Sequence, residues 1–411
     1  MNRESRDEAA AAFDRAGTHL EQGRFDQALS EYDAALNLRP DHALTLNNRG
    51  IALRKLERYE DALRDYNRAL ELEPEYAAAF NNRGIVHRKL RRLPEAVEDY
   101  GRAIELENDH AEAFYNRGNA LGKMGNHQAA LADYMKALAL QPGNPDILHA
   151  RAYHHALLQD YDRAVRDYSR VLELKPSHAA AYDRGYCHAK LKQYKEALTD
   201  FDLALKLGSQ RMDLRHNRAL ALAHLGRFEE ALPELDRVLE KNARNEKALH
   251  NRGFIHLKLS KPDQALRDYD RAVEINPDAS EAFNNRGIAK RRLDRKQDAV
   301  ADYDRAIALG AEKPWLYYNR GLAHSELGRY DDALTDFRRA LELKPEEPRG
   351  EVTGALAEVH GELDQEEQFY EYLEPAVEKG FPIRREMDER PFKKFKYAKR
   401  FQSLLKKFGL N

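Results

Sequence analysis

Ten arginines, Arg15, Arg49, Arg83, Arg117, Arg151, Arg184, Arg218, Arg252, Arg286 and Arg320, recur every 34 residues, an interval shortened once to 33. Sixteen residues after each stands an acid: Glu31, Asp65, Asp99, Asp133, Asp167, Asp200, Glu234, Asp268, Asp302 and Asp336, usually followed by Tyr or Phe. A guanidinium facing a carboxylate forms a charge-assisted, often bidentate hydrogen bond, and a ring packed over it shields the pair from water. Such pairs hold a scaffold together and are expected to be structural.

The residue preceding the arginine carries different chemistry. It is Asn48, Asn82 and Asn116, then Ala150 and Asp183, then Asn217, Asn251, Asn285 and Asn319. An Asn amide both donates and accepts, so it can bond the backbone of an extended peptide whatever that peptide's side chains are. The other use open to these amides is to bond neighbouring repeats to one another. Basic residues fall a few positions later: Arg54, Lys55, Arg88, Lys89 and Lys123 early in the chain, Lys258, Arg291 and Arg292 late. Cations at a helix end complement its dipole in any case, but stacked in register with the amides they would form two positive bands suited to an acidic ligand. Between the bands, His149, Tyr153, Tyr182 and Tyr186 are placed to form an aromatic pocket or to pack between repeats.

Other constellations fail on spacing. His19, His87, His155, His188, His256 and His324 lie whole repeats apart, without the partners of a zinc site. The segment Gly118 to Lys123, GNALGK, is one residue too short for a phosphate loop and is followed by Met124 where Ser or Thr is required. No nucleophile sits with a base, so no enzymatic activity, cofactor or metal is expected.

Lysine plus arginine, 68, nearly balance aspartate plus glutamate, 70, which gives no general reason to expect nucleic acid or membrane as partner. Cys187 is the only cysteine; it excludes an intrachain disulfide and suits a reducing compartment. The charged start MNRESRDEAAAAF lacks the apolar core of a secretory signal, and the expected location is cytoplasmic.

The elements that must position these residues follow from the period. Numbering each repeat 1 to 34 from Ala43 gives ten repeats, beginning at Ala9, Ala43, Ala77, Ala111, Pro145, His178, Met212, Glu246, Ser280 and Pro314. Positions 4, 8 and 11 fall within about 60° on a helical wheel, with positions 2, 6, 9 and 13 opposite. Position 8 is always Gly or Ala, which lets another helix approach; position 20 is always Ala and begins a second helix continuing at 24 and 27. Gly23, Gly125, Gly226 and Gly328 supply turns at position 15, and Pro at position 32 (Pro40, Pro74, Pro142, Pro176, Pro277, Pro345) stops the second helix. Each repeat is a helical hairpin, and a fixed period in this range makes the fold class all-α, an α-solenoid.

These residues resemble the tetratricopeptide repeat family over roughly Ala9 to Glu347, in a subclass where Arg, Asp and Tyr replace an apolar contact. The departures are Asn108, Ser209, Ala243 and Ala311 at position 32, and a seventh repeat with Arg215 at position 4 and Leu235 at position 24, expected to be the loosest joint. The resemblance implies a right-handed superhelix of about ten hairpins whose first helices line a concave groove that binds peptide segments of other proteins. The position-6 pattern is similar to the asparagine ladder in the tetratricopeptide region of O-linked N-acetylglucosamine transferase. Residues 1–8 are expected as a polar lead, 9–347 as the ten repeats, 348–379 as a degenerate eleventh hairpin and 380–411 as a basic amphipathic cap. The tail's Phe392, Lys393, Lys394, Phe395, Lys396, Tyr397, Lys399 and Arg400 also have the composition of an RNA-binding segment. The function expected is a protein-interaction scaffold holding an extended, acidic peptide. The alternatives are a targeting subunit for an enzyme on another chain and a nucleic-acid binder. Oligomeric state is left open.

Overall fold

Each repeat folds as an antiparallel pair of helices because the small residue at position 8 admits the ring at position 24. A Cβ built on Gly50 would stand 2.6 Å from the Tyr66 ring, and one on Gly287 2.6 Å from Tyr303. The second helix presents positions 20, 24 and 27 to the same seam, and Ala62, Tyr66 and Ala69 are fully buried there. The computed structural model describes residues 3–310, 312–343, 349–387 and 391–410, and no strand occurs among them. Ala311, Pro345 and the boundary expected at Glu347 lie outside the described residues.

The chain forms two compact bodies, Met1–Gln210 and Arg211–Asn411. In the first, six hairpins have first helices Arg3–Glu21, Ala43–Lys55, Ala77–Lys89, Ala111–Lys123, Pro145–Leu157 and His178–Lys190. Their second helices are Phe25–Leu38, Tyr59–Leu72, Leu93–Leu106, His127–Leu140, Tyr161–Leu174 and Tyr194–Lys206. The second body opens with four hairpins, Met212–His224 with Phe228–Lys241, Glu246–Lys258 with Pro262–Ile275, Ser280–Arg292 with Lys296–Ala308, and Pro314–Glu326 with Tyr330–Leu343. Arg349–Glu362 and Glu366–Glu378 make an eleventh pair.

Residues 3–8 do not form a separate polar lead. They continue the first helix, which starts at Arg3 with Glu4 in its first turn, because no Gly or Pro separates them from the Ala9–Ala12 run and an early acid complements the helix dipole. Every turn within a hairpin places position 15 in the left-handed region. Glycine holds it at Gly23 and Gly125, but Glu57, Arg91, Gln159, Lys192, Ser260 and Asp294 adopt φ of 56 to 62° at the equivalent place, so hairpin packing sets this conformation without regard to residue type. Second helices end two residues before proline at Leu72, Leu140 and Leu174, since the residue ahead of a proline is driven to extended backbone. The short junction after the fifth hairpin is closed by Ser177, whose hydroxyl accepts from the Ala180 N–H at 3.2 Å.

The tail folds back onto the eleventh hairpin. Phe392, Phe395, Phe401, Leu404 and Leu405 are buried against Phe369, Tyr370 and Leu373, and Phe395 stacks on Phe369 at 4.2 Å. The apolar face that a terminal repeat would otherwise expose is thereby covered.

Candidate functional site

The arginine and acid pairs form across the ten repeats, closely in all but the seventh. Arg252 donates Nε and Nη2 to the two oxygens of Asp268 at 2.9 and 2.6 Å, and the other Arg–Asp pairs are two-pronged in the same way. The aspartates are buried, and the hydrogen bond to Asp268, with that to Asp236, raises the Arg252 pKa further above its ordinary value against desolvation. The remaining Nη1 reaches the second helix of the preceding hairpin, a contact that sequence periodicity did not reveal. Arg49 meets Asp33 at 2.6 Å, Arg83 meets Asn67 at 2.8 Å, Arg184 meets Ser169 at 3.0 Å, and Arg252, Arg286 and Arg320 meet Asp236, Asp270 and Asp304. These partners all occupy position 25, which is Gly101 opposite Arg117 and Met135 opposite Arg151.

In the seventh hairpin Arg215 takes the acid at 2.8 Å, while Arg218 stands 3.5 Å from it. The expected loose joint therefore has a substitute ion pair, made by the residue whose presence suggested the weakness. The position-11 histidines each face the acid of their own hairpin, His87 at 3.7 Å from Asp99 and His256 at 3.8 Å from Asp268. Desolvation lowers the pKa of both rings. Among the described residues no group of three or more His, Cys, Asp or Glu side chains could hold a metal ion.

The position-6 amides lie on the first helices and bond mainly to position 5 of the preceding repeat. Asn82 donates to Asn47 at 3.0 Å, Asn116 to Asn81 at 3.2 Å and Asn319 to Asn284 at 2.9 Å. Where position 5 is histidine, the Asn251 amide lies 3.1 Å from His216 Nε2 and that of Asn285 3.4 Å from His250 Nε2. Desolvation lowers both histidine pKa values and keeps the rings neutral, as an acceptor nitrogen requires. Asn48 instead accepts from Asn47 at 3.1 Å. The amides thus knit repeats together, yet each such donation uses only one of an amide's two N–H groups.

The two basic sets separate. Lys55, Lys89 and Lys123 are exposed, each the last residue of its first helix, and have no ion-pair partner among the described residues. Lys258 is exposed too, its ammonium 5.3 Å from the centre of the Phe254 ring. Arg88, by contrast, is only part-exposed, with a buried Nε. Arg291 is engaged by Glu326, and Arg292 donates to the Leu257 carbonyl at 2.6 Å, capping the end of the preceding first helix. Arg291 is thus committed to a joint, whereas Lys258 and Arg292 are the exposed members of the late trio.

Among the cavities that open on the first helices, two involve residues singled out above. One, of about 710 Å³, crosses four successive first helices of the second body and brings Asn217 and Asn251 together with His216, His250, Lys247, Lys313 and Trp315. Trp315, the only tryptophan, was not singled out by the sequence reading; its place at position 2, on the face shared with position 6, was the available signal. The other, of about 360 Å³, lies between Pro145–Leu157 and His178–Lys190 and includes Tyr153, Tyr182 and Tyr186 of the expected aromatic set. His149 packs instead edge-on against Tyr168 at 5.2 Å.

Three cations of the basic tail pair with acids of the eleventh hairpin. Arg400 bonds Glu367 at 2.9 Å and lies 4.3 Å over the Tyr370 ring, while Lys394 and Lys407 pair with Asp364 and Glu374. Phe392, Phe395 and Phe401 are buried, Phe381 and Phe408 are partly buried, and Tyr397 is exposed. No described helix is long and apolar enough to cross a membrane.

Comparison with known proteins agrees with this architecture. Family models described as tetratricopeptide repeat match residues 43–76, 111–144, 149–212, 212–237, 246–279 and 314–347, and one described as TPR repeat matches 18–57 and 86–125. Among solved structures, the chain is similar to YrrB, a TPR protein with an unusual peptide-binding site, at 26% identity and a TM-score of 0.43 over 46% of this chain and 97% of that one. It is also similar to a tetratricopeptide repeat protein from Parabacteroides merdae, at 22% identity and a TM-score of 0.44 over 60% and 98%. PilF of Pseudomonas aeruginosa matches at 19% identity, with a TM-score of 0.48 over 52% and 98%. A search of curated proteins finds no match. With matched segments covering most of residues 18–347 and the helix pairs, small position-8 residues and packed rings described above, the chain belongs to the tetratricopeptide repeat family.

Proposed function

We propose that the protein is an interaction scaffold whose first-helix face holds an extended, acidic segment of a partner protein. The observation that carries this reading is the 710 Å³ cavity across four successive first helices, lined by amides, neutral imidazoles, two lysines, two glutamates and a tryptophan. Such a surface can bond a peptide backbone while an aromatic ring anchors one side chain. First helices about 10 Å apart meet an extended chain about every third residue. The acidic preference rests on Lys55, Lys89 and Lys123, three unpaired cations one repeat apart.

Fluorescence anisotropy with unstructured peptides of graded net charge tests the reading. Affinity is expected to rise with peptide acidity and to fall with added salt. Reversing Lys55, Lys89 and Lys123 to Glu should remove the charge preference and leave the circular dichroism unchanged. Replacing Asn217 and Asn251 with Ala should weaken acidic and neutral peptides alike, at about 0.5–1.5 kcal/mol for each lost bond. Equal binding of all peptides by the wild type and both variants would refute the proposal.

A further inference from the structure

In three hairpins the arginine at position 12 ends beside the buried tyrosine of position 24. Desolvation raises the pKa of each phenol, and Arg54 lies close enough to the Tyr66 hydroxyl to oppose the rise, as does Arg88 for Tyr100 and Arg291 for Tyr303, although none of the three hydroxyls makes a hydrogen bond among the described residues. The Nε of each arginine is buried, so the protein repeats one packed contact between a guanidinium and a phenol. The fifth hairpin keeps the tyrosine, as Tyr168, but has Ala156 at position 12. Ala156 and Tyr168 both line the 360 Å³ cavity, together with Tyr153, Tyr182 and Tyr186. The space that a guanidinium fills in the sister hairpins is here unfilled by the chain.

Charge distinguishes this cavity from an ordinary apolar gap. Asp183 replaces the position-6 asparagine and lines the cavity. Its carboxylate has His149 at 3.3 Å and no arginine or lysine within ion-pair distance among the described residues. The resulting field is negative. After desolvation, Asp183 is the largest influence raising the Tyr168 pKa, and desolvation with Asp183 and Asp200 pushes the Cys187 thiol up to about 12. At the rim, the Lys190 ammonium already lies 5.1 Å from the centre of the Tyr186 ring.

We propose that this cavity takes a guanidinium, the arginine side chain of a partner peptide, in the place that Arg54, Arg88 and Arg291 occupy in their own hairpins. A guanidinium is planar, stacks on tyrosine faces, is weakly hydrated and can donate twice to one carboxylate. The proposal rests on the peptide-binding reading only in assigning the arginine to a peptide. It adds a specific residue to that ligand: carboxylates along Lys55, Lys89 and Lys123, then one arginine.

The test titrates Nα-acetyl-arginine amide into the full-length protein and follows tyrosine ring signals by NMR, with the lysine and norleucine amides as controls. The arginine amide should saturate signals of Tyr153 and Tyr186, binding about ten-fold more tightly than either control. Asp183→Asn should weaken it about ten-fold. Ala156→Arg should abolish binding without loss of helix, since it installs the sister contact. Equal binding of arginine and norleucine amides, or of arginine and lysine amides, overturns the proposal, as does undiminished binding by Asp183→Asn. Should Ala156→Arg fail to fold, Asp183→Asn still decides. Asn82→Ala with Asn116→Ala, aimed at the peptide face, should leave arginine-amide binding intact. Undiminished peptide binding by that variant would count against the scaffold reading, and loss of arginine-amide binding by it against the cavity.

Discussion

Hairpins four to six in the first body and eight to ten in the second are built from the same positions and use them differently. From Glu246 to Leu343 each repeat joint within the group is closed by polar side chains: Arg286 to Asp270, Arg320 to Asp304, Asn285 to His250, Asn319 to Asn284, and Arg292 to the Leu257 carbonyl. From Ala111 to Lys206 those closures are fewer, although Asn116 still donates to Asn81, Arg184 to Ser169, and His149 lies 3.3 Å from Asp183. Gly101 and Met135 offer Arg117 and Arg151 nothing at position 25, and the amides give way to Ala150 and Asp183. Met124, Met135, Tyr153, Leu157 and Tyr186 stand exposed in the same stretch. Positions that depart from the repeat, as Ala156 and Asp183 do, can line a side-chain pocket beside a joint that still holds.

The comparison can be broken most directly at the arginines. Arg252→Ala leaves Asp268 buried without its counter-charge and should cost about 3–5 kcal/mol, seen as lost hydrogen-exchange protection beginning in the eighth hairpin. Arg151→Ala strands Asp167 alone, because position 25 before it is Met135; its cost should be smaller by about 0.2–1 kcal/mol, the worth of an exposed ion pair. Equal losses would show that the contact between hairpins contributes nothing. Next in size is the ring seam. Gly287→Ala drives a methyl to 2.6 Å from Tyr303 and should lower stability by about 1–3 kcal/mol in denaturant unfolding. The fifth hairpin already carries Ala152 at this position, and Ala152→Gly should cost only about 0.5–1 kcal/mol, the helix penalty of glycine.

Acidity separates the first body from the cap. Desolvation, reinforced by His127 and His155, lowers the His154 pKa to about 4. Its folded-state pKa is depressed, so its stabilising contribution is complete above pH 6.5 and is lost as the pH falls through about 4. Desolvation and Glu386 instead raise Glu358 to about 7. Its contribution is complete below the ordinary glutamate value, 4.5, and is lost as the pH rises through about 7. Hydrogen exchange across this range should show the fourth and fifth hairpins loosening in acid and the eleventh loosening above neutrality. His154→Leu and Glu358→Gln should each flatten one trend only. The smallest effect expected is repair of a lapsed joint: Met135→Asp gives Arg151 a second acid and should raise stability by about 0.2–1 kcal/mol.

Much of this was legible in the sequence because it is local in the repeat. Position 8 against position 24 and Arg against Asp are contacts within one hairpin, fixed by helix periodicity and a short turn. Contacts between hairpins were legible only in kind, as bonding of neighbouring repeats by the position-6 amides, and not in their partners. That Asn82 would turn to Asn47, that Arg49 would reach Asp33, and that Arg291 would be drawn to Glu326 all depend on the stagger of neighbouring helices. A period records which residues recur; it leaves open which of two facing repeats a long side chain will serve. Trp315 escaped notice for the opposite reason, since a residue that occurs once has no periodicity to expose it.

The arginine that reaches back also bears on how such a chain changes length. Excision of residues 280–313 removes one whole period and sets Arg320 against Asp270, an acid of the same type and position as its present partner Asp304. Asn319 would meet His250, the residue that Asn285 meets now. The new junction inherits a matched set of contacts although its two sides have never adjoined. Loss or duplication of a repeat here is thus an almost silent event for folding, and copy number can drift under selection for reach along a ligand, with little penalty from the joints themselves.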